Sequence, residues 1–124
     1  MRDGGRLVPT LDDVRVEQLA PRTAVAAFAG EHDVATKDAV KELLGSLLAR
    51  NELVIADFTD AQFVDAAILE VLLQADREAQ GHGSTFRLQL GAAPIVDLVF
   101  EIAGISDVLD CAATREEALA RGSR

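Results

Sequence analysis

The chain switches repeatedly between two hydrophobic periods, and that alternation limits its fold more than any other feature. Val14 and Val16 alternate with Arg15 and Glu17, the two-residue period of a half-buried strand over residues 14–19. Pro21 and Arg22 supply a turn. Residues 23–29, richer in apolar side chains, read as a second strand close enough to pair with the first as an antiparallel hairpin. After a polar loop over residues 30–36, Val40, Leu43, Leu44, Leu47 and Leu48 recur at helical spacing. They predict a helix over residues 37–49, with Asp33 or Thr36 as its cap.

Residues 53–56 form a short apolar run, the mark of a central strand buried on both faces. A loop over residues 57–64 leads to a second helix over residues 66–80. Asp65 is placed to cap it, and Gly81-His82-Gly83 to stop it, with Gly81 as the left-handed residue. Residues 85–90 alternate again. Pro94 opens a third helix that ends near Ala103, residues 108–111 make a weak last strand, and Thr114-Arg115-Glu116-Glu117 has the capping-box pattern of a short final helix.

The order is therefore β-β-α-β-α-β-α-β-α. Repeated strand–helix–strand units call for parallel pairing, because right-handed crossovers lay the helices on the sheet. The expected fold is one α/β domain over residues 14–121, with a mixed, mostly parallel sheet packed by helices. A chain of 124 residues suffices for one such core. Residues 1–13 carry Arg2, Asp3, Arg6, Asp12 and Asp13 and have no apolar stretch of the secretory-signal kind, so they are expected to form a flexible tail.

Charge narrows the partners. The net charge is −9 and the isoelectric point about 4.5, a surface that repels phosphate backbones and anionic lipids. Nucleic acid and membrane are thus unexpected partners, and a basic protein face is favoured. No run approaches the ~18 apolar residues of a membrane span. Cys111 is the only cysteine, so no internal disulfide can form, which suits the cytoplasm.

Loops after the strands carry Glu31, His32 and Asp33, then Asp57, Asp60 and Asp65. If Asp57 and Asp60 converged, they could form an oxygen-rich edge for Mg²⁺ and phosphoryl transfer. The simpler reading has two acids capping helices and the rest facing solvent. His32 and His82 lack spaced partner ligands and read as surface histidines; Cys111 reads as a buried or edge-strand thiol. There is no phosphate-binding glycine motif and no nucleophile elbow, and neither a cofactor nor a metal is called for. The third helix has surplus apolar residues: Ile95, Leu98, Val99 and Ile102 form one stripe, and Val96, Phe100 and Ala103 extend round a second side. Either both stripes are buried core or the surplus is a partner-binding patch, and an exposed stripe would permit a homodimer.

Three strings in this order carry a resemblance. They are Gly30-Glu31-His32-Asp33 followed by Thr36; the run from Asp57-Phe58-Thr59-Asp60 through Asp65-Ala66-Ala67-Ile68-Leu69; and Pro94-Ile95-Val96-Asp97-Leu98-Val99-Phe100 closed by Ala103-Gly104-Ile105. Over residues 14–121 the chain resembles STAS domains, especially bacterial anti-sigma factor antagonists. In that family a kinase-type anti-sigma factor binds the antagonist and phosphorylates a serine at the start of the second helix, which releases the complex. The charge of about −1.5 to −2 that phosphate adds at an interface explains the release.

The family pattern Asp-Ser-Ser-Gly-Leu is here Asp65-Ala66-Ala67-Ile68-Leu69. Ala66 stands at the phosphoacceptor position and cannot take phosphate, and Ile68 adds bulk where the family has glycine. The resemblance implies a non-enzymatic regulator that docks its partner through Glu31, His32, Asp33, Thr36, Asp60, Asp65, Ala66, Ala67, Ile68 and Phe100. Three readings follow: an antagonist locked in the binding state, a divergent STAS subunit of a signalling or transporter-associated complex, or phosphorylation moved to Thr36 or Thr59.

Overall fold

β1 (Val14–Ala20) and β2 (Thr23–His32) form the expected hairpin about the turn at Pro21 and Arg22, with Val14 opposite Phe28 and Ala20 opposite Thr23. The computed structural model describes residues 13–91 and 94–122. The expected tail lies outside the described residues except for Asp13, whose carbonyl accepts the Ala29 N–H at 2.8 Å.

β3 (Leu53–Val64), β4 (Thr85–Gln89) and β5 (Asp110–Ala112) follow β2 in parallel, giving one five-stranded sheet in the order β1-β2-β3-β4-β5. One face is covered by α1 (Lys37–Leu48), α2 (Ala66–His82) and α3 (Pro94–Ile102). There Leu43, Leu44, Leu47 and Leu48 of α1 and Ile68 and Leu72 of α2 pack with Phe28, Val54, Phe58, Phe86 and Phe100. Each large apolar side chain buried in this way contributes about 1.5–3 kcal/mol before entropy is counted. The opposite face is covered by α5 (Arg115–Ala120), where Val25, Leu53, Ile55, Ala112 and Ala118 make a smaller cluster.

Several boundaries differ from expectation. β2 and β3 run on together through residues read as loops, to Glu31 opposite Phe63 and His32 opposite Val64. The ladder survives because it bulges: Ala27 faces Asp57 but Ala29 faces Asp60, so β3 spends an extra residue. A second irregularity sits at Gly30, whose φ of 73° an L side chain rarely adopts. Gly81 stays helical, and the left-handed cap of α2 is Gly83, φ 74°, which donates to the Ala79 and Gln80 carbonyls.

Thr36 occupies the N-cap position of α1 without a side-chain cap bond, while Asp33 Oδ1 accepts the Ala35 N–H at 2.9 Å. A short helix, α4 (Ile105–Val108), was not expected. β4 is buried along its whole length because α5 covers the face that alternation assigned to solvent. The capping box does form: Thr114 Oγ1 accepts the Glu117 N–H at 3.0 Å, and the Glu117 carboxylate reaches back to the Ala113 N–H at 2.7 Å. Among the described residues no helix is long and apolar enough to cross a membrane.

Candidate functional site

The parallel ladder brings two of the sequence-predicted segments together. Because Glu31 pairs with Phe63 and His32 with Val64, the end of β2 and the loop at residues 33–36 stand beside the entry to α2. Asp65 shapes that entry. Its backbone is extended, and Oδ1 accepts from the N–H groups of Ala67 at 3.0 Å and Ile68 at 3.2 Å, satisfying two donors of the first turn. Asp65→Ala should therefore lower stability by about 0.5–2 kcal/mol in urea unfolding; an unchanged midpoint would remove the cap from the account.

Capping fixes what the turn presents. Ala66, the first residue of α2, is exposed, and Ala67 is half-buried. Glu31 and Asp60 are exposed, and Asp33 and Thr36 are half-buried. Val34 and Phe63 add apolar surface at the same edge, at 68% and 42% exposure. The sequence reading did not single them out; the available signal was an apolar side chain in an otherwise polar stretch.

Three predicted site residues lie elsewhere. Ile68 is fully buried in the main core, so its bulk serves packing and does not obstruct the edge. Phe100 is buried against Phe58, with ring centroids 5.4 Å apart and planes perpendicular, because α3 turns Val96 and Phe100 inward. His32 is also buried, not a surface histidine. Its Nε2 donates to the Ala29 carbonyl at 2.9 Å and its ring meets Phe28 edge-on at 5.2 Å. Thr36 Oγ1 lies 3.4 Å from His32 Nδ1 and 3.3 Å from the Asp33 carbonyl oxygen, so its hydroxyl is engaged within the loop.

The acids do not converge on one pocket. Asp57 is a buried residue of β3, not of a loop. Its Oδ1 accepts from Thr59 N–H at 2.9 Å and Thr59 Oγ1 at 2.7 Å, and Arg115 lies 3.4 Å from Oδ2. Asp65 is committed to its cap and Asp60 is exposed. Among the described residues no three His, Cys, Asp or Glu side chains gather as a metal-ion site.

An ionic layer beneath α5 went unread in the sequence. Arg115 bridges Glu17 on β1 and Asp57 on β3. Arg87, 2% exposed, donates from Nε to Asp110 at 2.6 Å and from Nη1 to the Ala118 carbonyl at 2.6 Å; Arg121 pairs with the same Asp110 at 2.9 Å. Cys111, half-buried on the edge strand, has its thiol pushed up from 9.0 to about 11. Burial is the main cause, Asp110 adds to it and Arg121 opposes it. At pH 8 that leaves roughly 100-fold less thiolate than an ordinary thiol, so iodoacetamide should alkylate the folded chain correspondingly slowly. Reaction at the rate of a free thiol would contradict the placement.

The profile of the STAS domain matches residues 16–118, and the chain belongs to that family. Among solved structures, it superposes on the anti-sigma factor antagonist SpoIIAA in its unphosphorylated form with a TM-score of 0.67 and 20% identity. That match covers 87% of this chain and 96% of that one. An anti-sigma factor antagonist from Mycobacterium paratuberculosis gives 0.77 and 18%, covering 87% and 91%. The murine anion transporter Slc26a9 in its inward-facing state gives 0.64 and 13%, covering 84% of this chain and 18% of the transporter. At these identities the likenesses show a shared fold. Among curated proteins none matches the sequence significantly.

Proposed function

We propose that this STAS domain, residues 14–121, is an anti-sigma factor antagonist that holds a kinase-type anti-sigma factor in the cytoplasm without being switched by phosphate. The observation that carries the reading is Ala66: it is exposed at the first position of a capped helix, beside the paired ends of β2 and β3, where the family has its phosphoacceptor serine. The docking edge comprises Glu31, Asp33, Thr36, Asp60, Ala66 and Ala67, with Val34 and Phe63 as its apolar part. The role is binding, not catalysis, and requires no cofactor.

Neither threonine is a good substitute acceptor. Thr59 donates its hydroxyl to the buried Asp57 carboxylate, so a phosphate there would meet a fixed negative charge. Thr36 is held by its own loop. The metal-dependent phosphoryl-transfer reading loses its support, because Asp57 is already occupied by Thr59 and Arg115. The other reading, a STAS subunit of a signalling or transporter-associated complex, is favoured by the likeness to the Slc26a9 transporter.

Phosphate transfer tests the switchless reading. Incubated with its kinase-type partner and labelled ATP, the wild type should take up no phosphate, and Ala66→Ser should become labelled. Label on the wild type, at Thr36 or Thr59, would sink it.

A further inference from the structure

The outer face of α3 has no role in the docking edge or in the core. Val96 and Phe100 anchor the helix inward, which leaves Ile95, Leu98 and Ile102 at 52%, 47% and 78% exposure, and Val108 of α4 at 65%. Four large apolar side chains this exposed on neighbouring short helices are unusual for a surface without a partner. Beside them, between α3 and β5, lies an open groove of about 710 Å³ whose walls include Pro94, Leu98, Cys111 and Ala113.

The charges around this surface are mainly acidic, and Arg121 at the Cys111 edge is already paired with Asp110. Asp97, Glu101 and Glu117 line the groove, Asp107 projects from α4, and among the described residues no lysine or arginine contributes to the lining. A partner with basic residues flanking an apolar stripe would match both features.

The edge strand narrows the partner's shape. The outward carbonyl of Cys111 accepts from Arg121 Nη2 at 2.6 Å, and the Ala113 N–H donates to Glu117 Oε1 at 2.7 Å. With these groups engaged, the edge is a poor template for an added strand. A helix needs no free backbone groups from its host and can lie along α3. A second copy of this chain is disfavoured, since a two-fold contact on this face would bring Asp97, Glu101 and Asp107 against their own mates.

We infer that the outer face of α3, with the groove beside β5, docks a basic amphipathic helix of another protein. This surface is distinct from the α2 edge and its occupancy does not rest on that edge's role. The probe is a synthetic amphipathic helix of leucine and lysine, about four turns long, compared with its leucine–glutamate counterpart by fluorescence anisotropy and amide shift mapping.

The lysine peptide should bind, shift amides within residues 94–113, and weaken as salt rises. Leu98→Ser with Ile102→Ser, and separately Glu101→Lys with Asp107→Lys, should each weaken it at least about tenfold. All four side chains are exposed, so the fold is not at risk. Ala66→Asp should leave peptide binding unchanged, which separates this surface from the α2 edge. Equal binding of the glutamate peptide would overturn the inference, as would affinity indifferent to both double variants. So would a sedimenting dimer that Leu98→Ser with Ile102→Ser dissociates, which would give the face to a second copy.

Discussion

Phe58→Ala is expected to cost the fold about 3–5 kcal/mol, the largest loss of any single substitution considered. Phe58 lies at the centre of the helical face. Its ring stacks on Phe28 of β2 at 4.5 Å between centroids and meets Phe100 of α3 at right angles at 5.4 Å. Truncation removes the transfer energy of a ring that is 1% exposed, opens a cavity, and breaks two aromatic contacts. It also frees α3, whose described buried side chains are only Val96 and Phe100. Against a total stability of roughly 5–15 kcal/mol, such a loss should be visible as a large drop in the urea midpoint. Phe58→Leu should recover most of it. A Phe58→Ala protein that unfolds within about 1 kcal/mol of wild type would mean that this face is not packed as described.

Arg87→Ala should destabilise by about 3 kcal/mol through a different mechanism. Arg87 is the largest fully buried side chain among the described residues, and its guanidinium is bound to Asp110 and to the Ala118 carbonyl. Removing it strands both acceptors beneath α5, although Arg121 still partly neutralises Asp110. The loss should fall unevenly: amides of α5 should exchange faster while those of α1 and α2 stay protected relative to the new global stability. Replacing both members, Arg87→Met with Asp110→Leu, should cost less than Arg87→Ala alone, because no buried charge is left without its partner. If the double replacement were the worse of the two, the pair would be contributing net stability beyond its mutual compensation.

The two predictions concern faces that differed greatly in legibility. The helical face could be read because its signals are local: the leucines of α1 repeat with helical period and Asp65 precedes an apolar run. The α5 face was missed because its burial depends on partners far apart in sequence. Arg87, Gln89 and Glu17 alternate with apolar residues and so read as solvent-facing, yet Arg87 meets Ala118 and Arg115 meets Glu17 only once the sheet is assembled.

The extension of β3 was hidden by its bulge. Phe58, Ala61 and Val64 all face the core at a spacing of three, which no strand period predicts. Helix rotation accounts for the misplacement of Ile68 and Phe100. Ile68 and Phe100 sit one turn or less from exposed neighbours, and composition alone does not say which way each faces. The docking role of residues 31–36 and of the start of α2 came from the resemblance, and the β2–β3 register explains why they are neighbours.

Affinity purification from the native lysate, with the wild type beside Ala66→Asp, tests the central claim most directly. Ala66 is exposed, so the substitution leaves the core intact while adding charge to the docking edge. The account predicts that a kinase-type anti-sigma factor is retained by the wild type and lost with the aspartate. Retention of that factor equally by both proteins, or recovery of transporter subunits in its place, would contradict it.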